Sequence, residues 1–370
     1  MNPCDLLLAG TGSLAEAALF SFATTGVGRP LRISIGGRNA ERCRWLALAA
    51  NARAAALSVP NFVEPAILDW SSPEALEGAM RQLQPKVVVQ TASMQSPWAL
   101  AESSAWSQLI RDGGYGLATP FHTILTARLV RAIERAGTGS VVINGAYPDL
   151  ANSIIKAMGL TVPLGFGNVD IVATSAAAML GSREPGKVRM LAQWEPHVAD
   201  FREPPEKRRN INPKAWIDGE EVADFMARFR DLKFPPASDD SLNQITGTTV
   251  VPMAHAFLTG QTYVGHAAGP FGLPGGYPVR IDNGEVSLNL PDGISREDAI
   301  AFNKGFEQME GIVLDEAARR VTLTGHAHEA MASRKFDLAE GYPVASLEDL
   351  EIACTRLDAI RGELIGKPAS

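Results

Sequence analysis

Cysteine is scarce. The 370 residues hold three, Cys4, Cys43 and Cys354, odd in number and far apart, which excludes a disulfide framework and a structural zinc site. Free thiols suit a reducing compartment, and a cytoplasmic protein is expected. Clustered positive charge is also missing: 41 acids outweigh 34 bases for a formal charge of −7. With no run of five basic residues, the electrostatic footprint of a nucleic-acid binder is absent. No segment approaches the ~18 uninterrupted apolar residues of a membrane span; the two most apolar, 14–22 and 45–57, contain Glu16 or Asn51 and Arg53. Met1-Asn2-Pro3-Cys4-Asp5 lacks the basic start of a signal peptide. Neither export nor membrane insertion is expected.

Several catalytic signatures are absent too. None of the five tyrosines has Lys four residues on, and Gly-x-Ser-x-Gly and His-Glu-x-x-His do not occur. The stretch Gly181–Lys187 has the outline of a P-loop, but Val188 stands where a Ser or Thr would hold magnesium. It reads as a turn.

What is present describes a soluble globular chain, 46% hydrophobic and 20% charged, with a mean hydropathy of zero. At roughly 150 residues per domain, two domains are expected. The first third alternates short apolar runs with helical patterns: strands at 6–9, 31–35, 62–68, 86–90 and 140–143, helices at 13–24, 40–56, 73–83 and 121–136. That order builds a doubly wound parallel α/β sheet of Rossmann type, whose ligands bind at the strands' carboxyl ends. Residues 1–168 are expected to form this domain and 169–370 a mixed α+β substrate or catalytic domain. In the latter, a strand at 188–194, helices at 220–230, 248–258 and 296–318, a β section at 277–290 and a C-terminal helix at 347–364 are expected. The helices 248–258 and 347–364 are the candidates for a homodimer interface.

Gly10-Thr11-Gly12-Ser13-Leu14-Ala15 has GxGxxA spacing, follows a buried-type strand and opens a helix. The first Gly permits a tight turn, the second lets the backbone approach a pyrophosphate, and the small third residue lets helix and strand pack. The helix amides then meet the phosphates. At the second strand's end, where NAD-preferring proteins carry an acid, stand Gly36-Gly37-Arg38-Asn39, with Arg42 one turn on. A guanidinium pairs with a 2′-phosphate, so NADP(H) is expected over NAD(H). Asp69 is placed at the adenine; Thr91, Ala92 and Ser93 line the nicotinamide side.

From residue 140 the order of features resembles the lactate/malate dehydrogenase superfamily. Asn144, Pro148 and Asp149 are similar to its Asn-Pro-x-Asp strand end. The helix 150–158, Gly159–Pro163 and Gly165-Phe166-Gly167 leading to Asp170 follow its order, as do the strand before His197 and the Gly272–Ile281 entry. Opine-type dehydrogenases share the two-domain scheme, and the Gly-Gly-Arg-Asn entry is similar to saccharopine-dehydrogenase-like NADP-binding domains. The spacing departs from the family: Gly-Ala-Tyr separates Asn144 from Pro148, and Pro196-His197-Val198 replaces His-Gly-Asp. The resemblance implies hydride transfer to a 2-oxo acid, or to an imine formed from one and an amine. It implies His197 as proton donor, Asp170 orienting that ring, and Asn144 donating to the substrate oxygen. Arg111, read as lying in a Gly-rich loop, takes the place of the mobile-loop arginine, and His122 approaches the nicotinamide. His266 lies in the Gly/Pro-rich stretch 265–277, which reads either as a loop over the pocket, with His266 holding a substrate carboxylate or serving as a second acid, or as a rigid connector. A small-molecule substrate is thus expected; the alternative is a non-catalytic NADP(H) sensor.

Overall fold

Strand β1 (Leu6–Ala9) is a run of four apolar residues buried on both faces, as a central parallel strand requires. In the computed structural model, which describes residues 2–95, 104–184 and 186–367, it is followed by α1 (Ser13–Thr24), β2 (Arg32–Gly37), α2 (Ala40–Ala56), β3 (Phe62–Ile67), α3 (Pro73–Leu83) and β4 (Val87–Gln90). Next come α4 (Ala105–Gly113), α5 (Thr119–Ala136), β5 (Val141–Asn144), α6 (Pro148–Ala157), β6 (Leu164–Gly165) and α7 (Val169–Met179). Met1, residues 96–103, Pro185 of the stretch read as a turn, and residues 368–370 lie outside the described residues.

Six parallel strands run in the order β6-β5-β4-β1-β2-β3. Alternate residues feed two cores: Leu7, Val88 and Val142 pack with α3, α5 and α6, Leu6, Leu8 and Val89 with α1 and α2. Order reverses between β1 and β4, the switch point where such sheets bind ligands.

The second half adds β7 (Val188–Leu191), β8 (Lys214–Ile217), β9 (Glu220–Glu221), α8 (Phe225–Arg228), α9 (Asn243–Thr259), β10 (Tyr263–Ala268), β11 (Gly276–Asp282), β12 (Glu285–Leu288) and α10 (Arg296–Lys304). The chain closes with β13 (Ile312–Asp315), β14 (Arg320–Leu323), α11 (Gly325–Ala332), β15 (Tyr342–Pro343) and α12 (Leu347–Leu364). Strands β10–β12 extend the parallel sheet antiparallel to β6, through Ala268 and Gly165, giving nine strands drawn from both sides of residue 168. Two further three-stranded antiparallel sheets are present, β7-β8-β9 and β13-β14-β15, the first bridged to β11 through Ala192 and Gly276.

Several expected elements are corrected. The helix at 220–230 is a hairpin strand and a single turn, because Asp218 and Gly219, both at positive φ, make the two-residue turn joining β8 to β9. The helix at 296–318 ends at Lys304, and Gly311 at φ 86° turns the chain into β13. The strand at 188–194 stops at Leu191, and residues 194–198 form one π-helical turn. Helices α9 and α12, the interface candidates, pack on α1 and α5 within the chain and each also carries an exposed isoleucine, Ile245 and Ile352. Among the described residues no helix is long and apolar enough to cross a membrane.

Candidate functional site

The phosphate loop leaves β1 at Gly10, whose N–H donates to the Gly36 carbonyl at 2.8 Å and whose φ of 137° few side chains tolerate. A Cβ there would lie 2.3 Å from Thr91 Oγ1. Gly12 caps α1 with no side-chain acceptor for the helix amides, and nothing lies within 4 Å of where its Cβ would be. Ala15 is fully buried, and Ser13 Oγ accepts from Asn243 Nδ2 at 2.8 Å. The positive end of α1 therefore faces open space at the switch point, the arrangement that receives an anion.

Beyond β2, Arg38 is exposed and makes no hydrogen bond or ion pair with the described residues. Asn39 caps α2 by accepting from the Arg42 amide at 3.0 Å. The Arg42 guanidinium pairs with Glu16 and donates to the Thr11 carbonyl at 3.4 Å. Asp69, exposed, accepts from the Ser71 amide and hydroxyl, which hold its carboxyl below the ordinary range. Thr91 Oγ1 donates to the Ala9 carbonyl, and the Ala92 amide donates to Gln90 Oε1. Leu14 is half-buried beside the loop.

Two of the residues expected at the nicotinamide meet. Ser93, just past β4, lies 2.8 Å from Nδ1 of His122 on α5. The buried His122 ring stacks on Tyr115 at 4.9 Å and meets the edge of Tyr147 at 5.9 Å. Tyr147, past β5, donates its hydroxyl to Glu310 Oε2 at 2.5 Å, and Glu310 Oε1 accepts from the Glu195 amide at 2.8 Å. Burial, with Glu195 adding negative charge, pushes the Glu310 carboxyl up to about 8; burial pushes His122 down to about 3. Asp149 is raised by burial to about 7 although its Oδ2 accepts from Asn168 Nδ2 at 2.7 Å. Tyr147 and Asn168 hold φ near 50°, a conformation rare outside glycine that collects at functional sites. Arg202 lies over Trp194 at 5.0 Å, at the margin of this cluster.

The expected catalytic triplet does not converge. Asn144, at the end of β5, gives its amide hydrogens to Asn152 Oδ1 and the Ala146 carbonyl, while its Oδ1 accepts from Ala146 and Thr126. It holds the β5–α6 corner and has no hydrogen left for a substrate oxygen. Asp170 on α7 does not orient His197: its Oδ1 lies 3.8 Å from Nδ1 of His266. The His197 Nδ1 instead accepts from the Gln193 amide at 3.0 Å, and the ring packs against Phe302 and Phe306. Burial pushes His197 down to about 4.

His266 is a strand residue on β10, fully buried, its Nε2 accepting from the Met190 amide at 3.1 Å. The Gly/Pro-rich stretch after it is a rigid connector pressed on α6: a Cβ at Gly269 would lie 2.3 Å from the Pro148 carbonyl. Arg111 sits on helix α4, not in a loop, exposed and donating to Gln108 Oε1. Sequence reasoning passed over Tyr115, Glu195 and Glu310 as site residues. Glu310 lies 163 residues from Tyr147, and no local spacing joins them; the signal available was Tyr147, inside the quoted strand-end motif.

The sheet order, the loop at its switch point and the antiparallel extension define a Rossmann-type α/β protein of the lactate/malate dehydrogenase fold. Malate dehydrogenase from Aeropyrum pernix superposes with a TM-score of 0.51 at 13% identity, over 82% of this chain and 97% of that one. Lactate dehydrogenase from Cryptosporidium parvum, solved with lactic acid and β-nicotinamide adenine dinucleotide, gives 0.50 at 12% identity over 84% and 96%. A minor L-lactate dehydrogenase from Enterococcus mundtii gives 0.50 at 14% identity over 83% and 96%. No protein-family profile matches the sequence, and no curated protein matches it.

Proposed function

We propose that the chain is a nicotinamide-dinucleotide-dependent oxidoreductase, preferring NADP(H), that reduces a 2-oxo acid or an imine derived from one and an amine. The observation that carries the reading is the uncapped start of α1 behind the open Gly12, with the unpartnered Arg38 beside it. Gly10, Thr11, Gly12 and Ser13 would hold the pyrophosphate, Arg38 the 2′-phosphate, and Ser93 would border the nicotinamide. Bound there, the reduced cofactor supplies a hydride. Three buried free cysteines suit a cytoplasmic location.

The accompanying proton is better assigned to the Tyr147–Glu310 pair than to His197. At neutral pH a carboxyl raised to about 8 retains its proton, whereas an imidazole lowered to about 4 has none to give. With Glu310 protonated, the Tyr147–Glu310 bond reverses: the carboxyl O–H donates to the Tyr147 oxygen, Tyr147 passes its own hydroxyl proton to the substrate oxygen or nitrogen, and the carboxyl proton moves onto Tyr147, leaving Glu310 ionised. His122, neutral and bonded to Ser93, orients the substrate.

Titrating the protein with NADPH and NADH, then assaying a 2-oxo acid panel with and without amines, tests the reading. Tyr147→Phe is expected to lower turnover by 10²–10⁴-fold with cofactor affinity intact, and His197→Ala to change it little. The reverse pattern returns the proton to His197. One observation favours a non-catalytic sensor, the internal satisfaction of Asn144; tight NADPH binding with no turnover on any carbonyl or imine would establish it.

A further inference from the structure

The first turns of α1 and α2 face each other across the phosphate loop, and a single ion pair joins them. Glu16 lies in the first turn of α1 and binds the Arg42 guanidinium, whose Nε also reaches the Thr11 carbonyl inside the loop. Asn39 fixes Arg42 in the first turn of α2 by capping that helix on the Arg42 amide. Four residues earlier, Arg38 has no partner among the described residues. Two guanidiniums therefore bracket the end of β2, one free and one occupied by a carboxylate of the chain itself.

Resting on the dinucleotide reading, we propose that Glu16 is a resident counter-ion that occupies Arg42 while the site is unliganded and yields it to the 2′-phosphate of NADP(H), which Arg42 then grips together with Arg38. The exchange is favourable in magnitude. Arg42 and Glu16 are 35% and 34% exposed, and such half-solvated pairs contribute little. A phosphate carries more charge and accepts charge-assisted bonds from two guanidiniums at once. Because Glu16 holds Arg42, a ligand that uses this guanidinium must first displace the carboxylate. A ligand that offers Arg42 no replacement for the carboxylate leaves the pair intact; one with a 2′-phosphate displaces it.

The alternative role for Arg42 is a brace on the loop. The two differ in what they do to NADH, because the pyrophosphate held by the loop is common to both cofactors while the 2′-phosphate belongs to one. Isothermal titration of the full chain and its variants with NADPH and NADH separates them, with a thermal melt confirming that each variant folds. Glu16→Gln is expected to tighten NADPH about two- to five-fold and leave NADH unchanged. Arg42→Ala is expected to weaken NADPH about ten-fold or more and NADH by less than two-fold. Equal losses for both cofactors in Arg42→Ala make Arg42 a brace and overturn the proposal, as does unchanged or weaker NADPH binding in Glu16→Gln. Wild-type protein binding neither cofactor would bring down the dinucleotide reading itself, and the exchange with it.

Discussion

Two glycines two residues apart meet opposite demands. Gly10 is required by the fold: its φ of 137° and the 2.3 Å approach to Thr91 Oγ1 leave no room for a methyl group. Gly12 has an ordinary φ of −77° and open space beyond it, so neither the backbone nor packing within the chain requires glycine there. Gly10→Ala is therefore expected to destabilise the protein by about 2 kcal/mol, from strain and overpacking. Gly12→Val should melt within a few degrees of wild type yet lose dinucleotide affinity by a hundred-fold or more, since its side chain would fill the pyrophosphate cradle. Thermal melts paired with NADPH titrations read both. A Gly12→Val protein that binds normally would show that the cradle is not used.

At the scale of elements, the phosphate helix is held by a helix distant in sequence. Helix α9 crosses α1 so closely that a Cβ at Gly247 would lie 2.5 Å from the Ala18 amide nitrogen, and Asn243 bonds Ser13 at the mouth of the loop. Backbone cannot yield as a side-chain tip can, so Gly247→Ala should push the helices apart, cost about 1–3 kcal/mol and weaken NADPH binding through the displaced Ser13. Equal affinity alongside a lowered melting temperature would separate packing from the site. Reading the sequence succeeds where the signals are local. Helices α1, α2, α3 and α12 match their expected bounds because capping residues (Asn39, Ser72, Ser346), Pro73 at a helix start and the glycine loop are local signals. The hairpin at Asp218-Gly219 carried an equally local signal, outweighed by the acidic, helix-like run after it. The pairings Asp170–His266, Tyr147–Glu310 and α1–α9 join residues 96, 163 and more than 200 positions apart, and no spacing rule reaches across such distances. The glycine loop at the switch point was therefore legible, whereas the buried Tyr147–Glu310 contact was not.

Across the whole molecule, the interior holds two sets of titratable groups with opposite shifts. His122 and His266 are lowered by burial to about 3, His197 and His255 to about 4. Asp149, Asp170 and Glu307 are raised by burial to about 7, and Glu310 to about 8. For the histidines the unfolded chain binds more protons as pH falls below its ordinary histidine value near 6.5, so their contribution to stability is complete above that pH and drains away as pH drops toward 3. For the raised acids the native chain keeps protons that the unfolded chain has released. Their contribution is complete below about pH 4 and is lost as pH climbs to about 8. Each proton of difference changes the unfolding free energy by about 1.4 kcal/mol per pH unit. Between pH 5 and 6 four histidines and four acids oppose one another and the slope nearly vanishes. As pH rises through 6.5 the unfolded histidines lose their protons and the acids come to dominate, so stability falls from there to about pH 8. Below pH 4.5 the unfolded acids take up protons and the histidines dominate, joined by Asp5, whose bonds to Arg29 hold it below the ordinary range, so stability falls again. Melting temperatures across pH 4–9 should trace a plateau near pH 5–6.5 with a descending alkaline limb. Glu310→Gln, which keeps an acceptor for Tyr147 but cannot ionise, should make that limb shallower at its upper end. A melting temperature that rises from pH 6.5 to 8.5 would mean that the acid cluster is ionised in the native state, and the proton assigned to Tyr147 and Glu310 would then have no store.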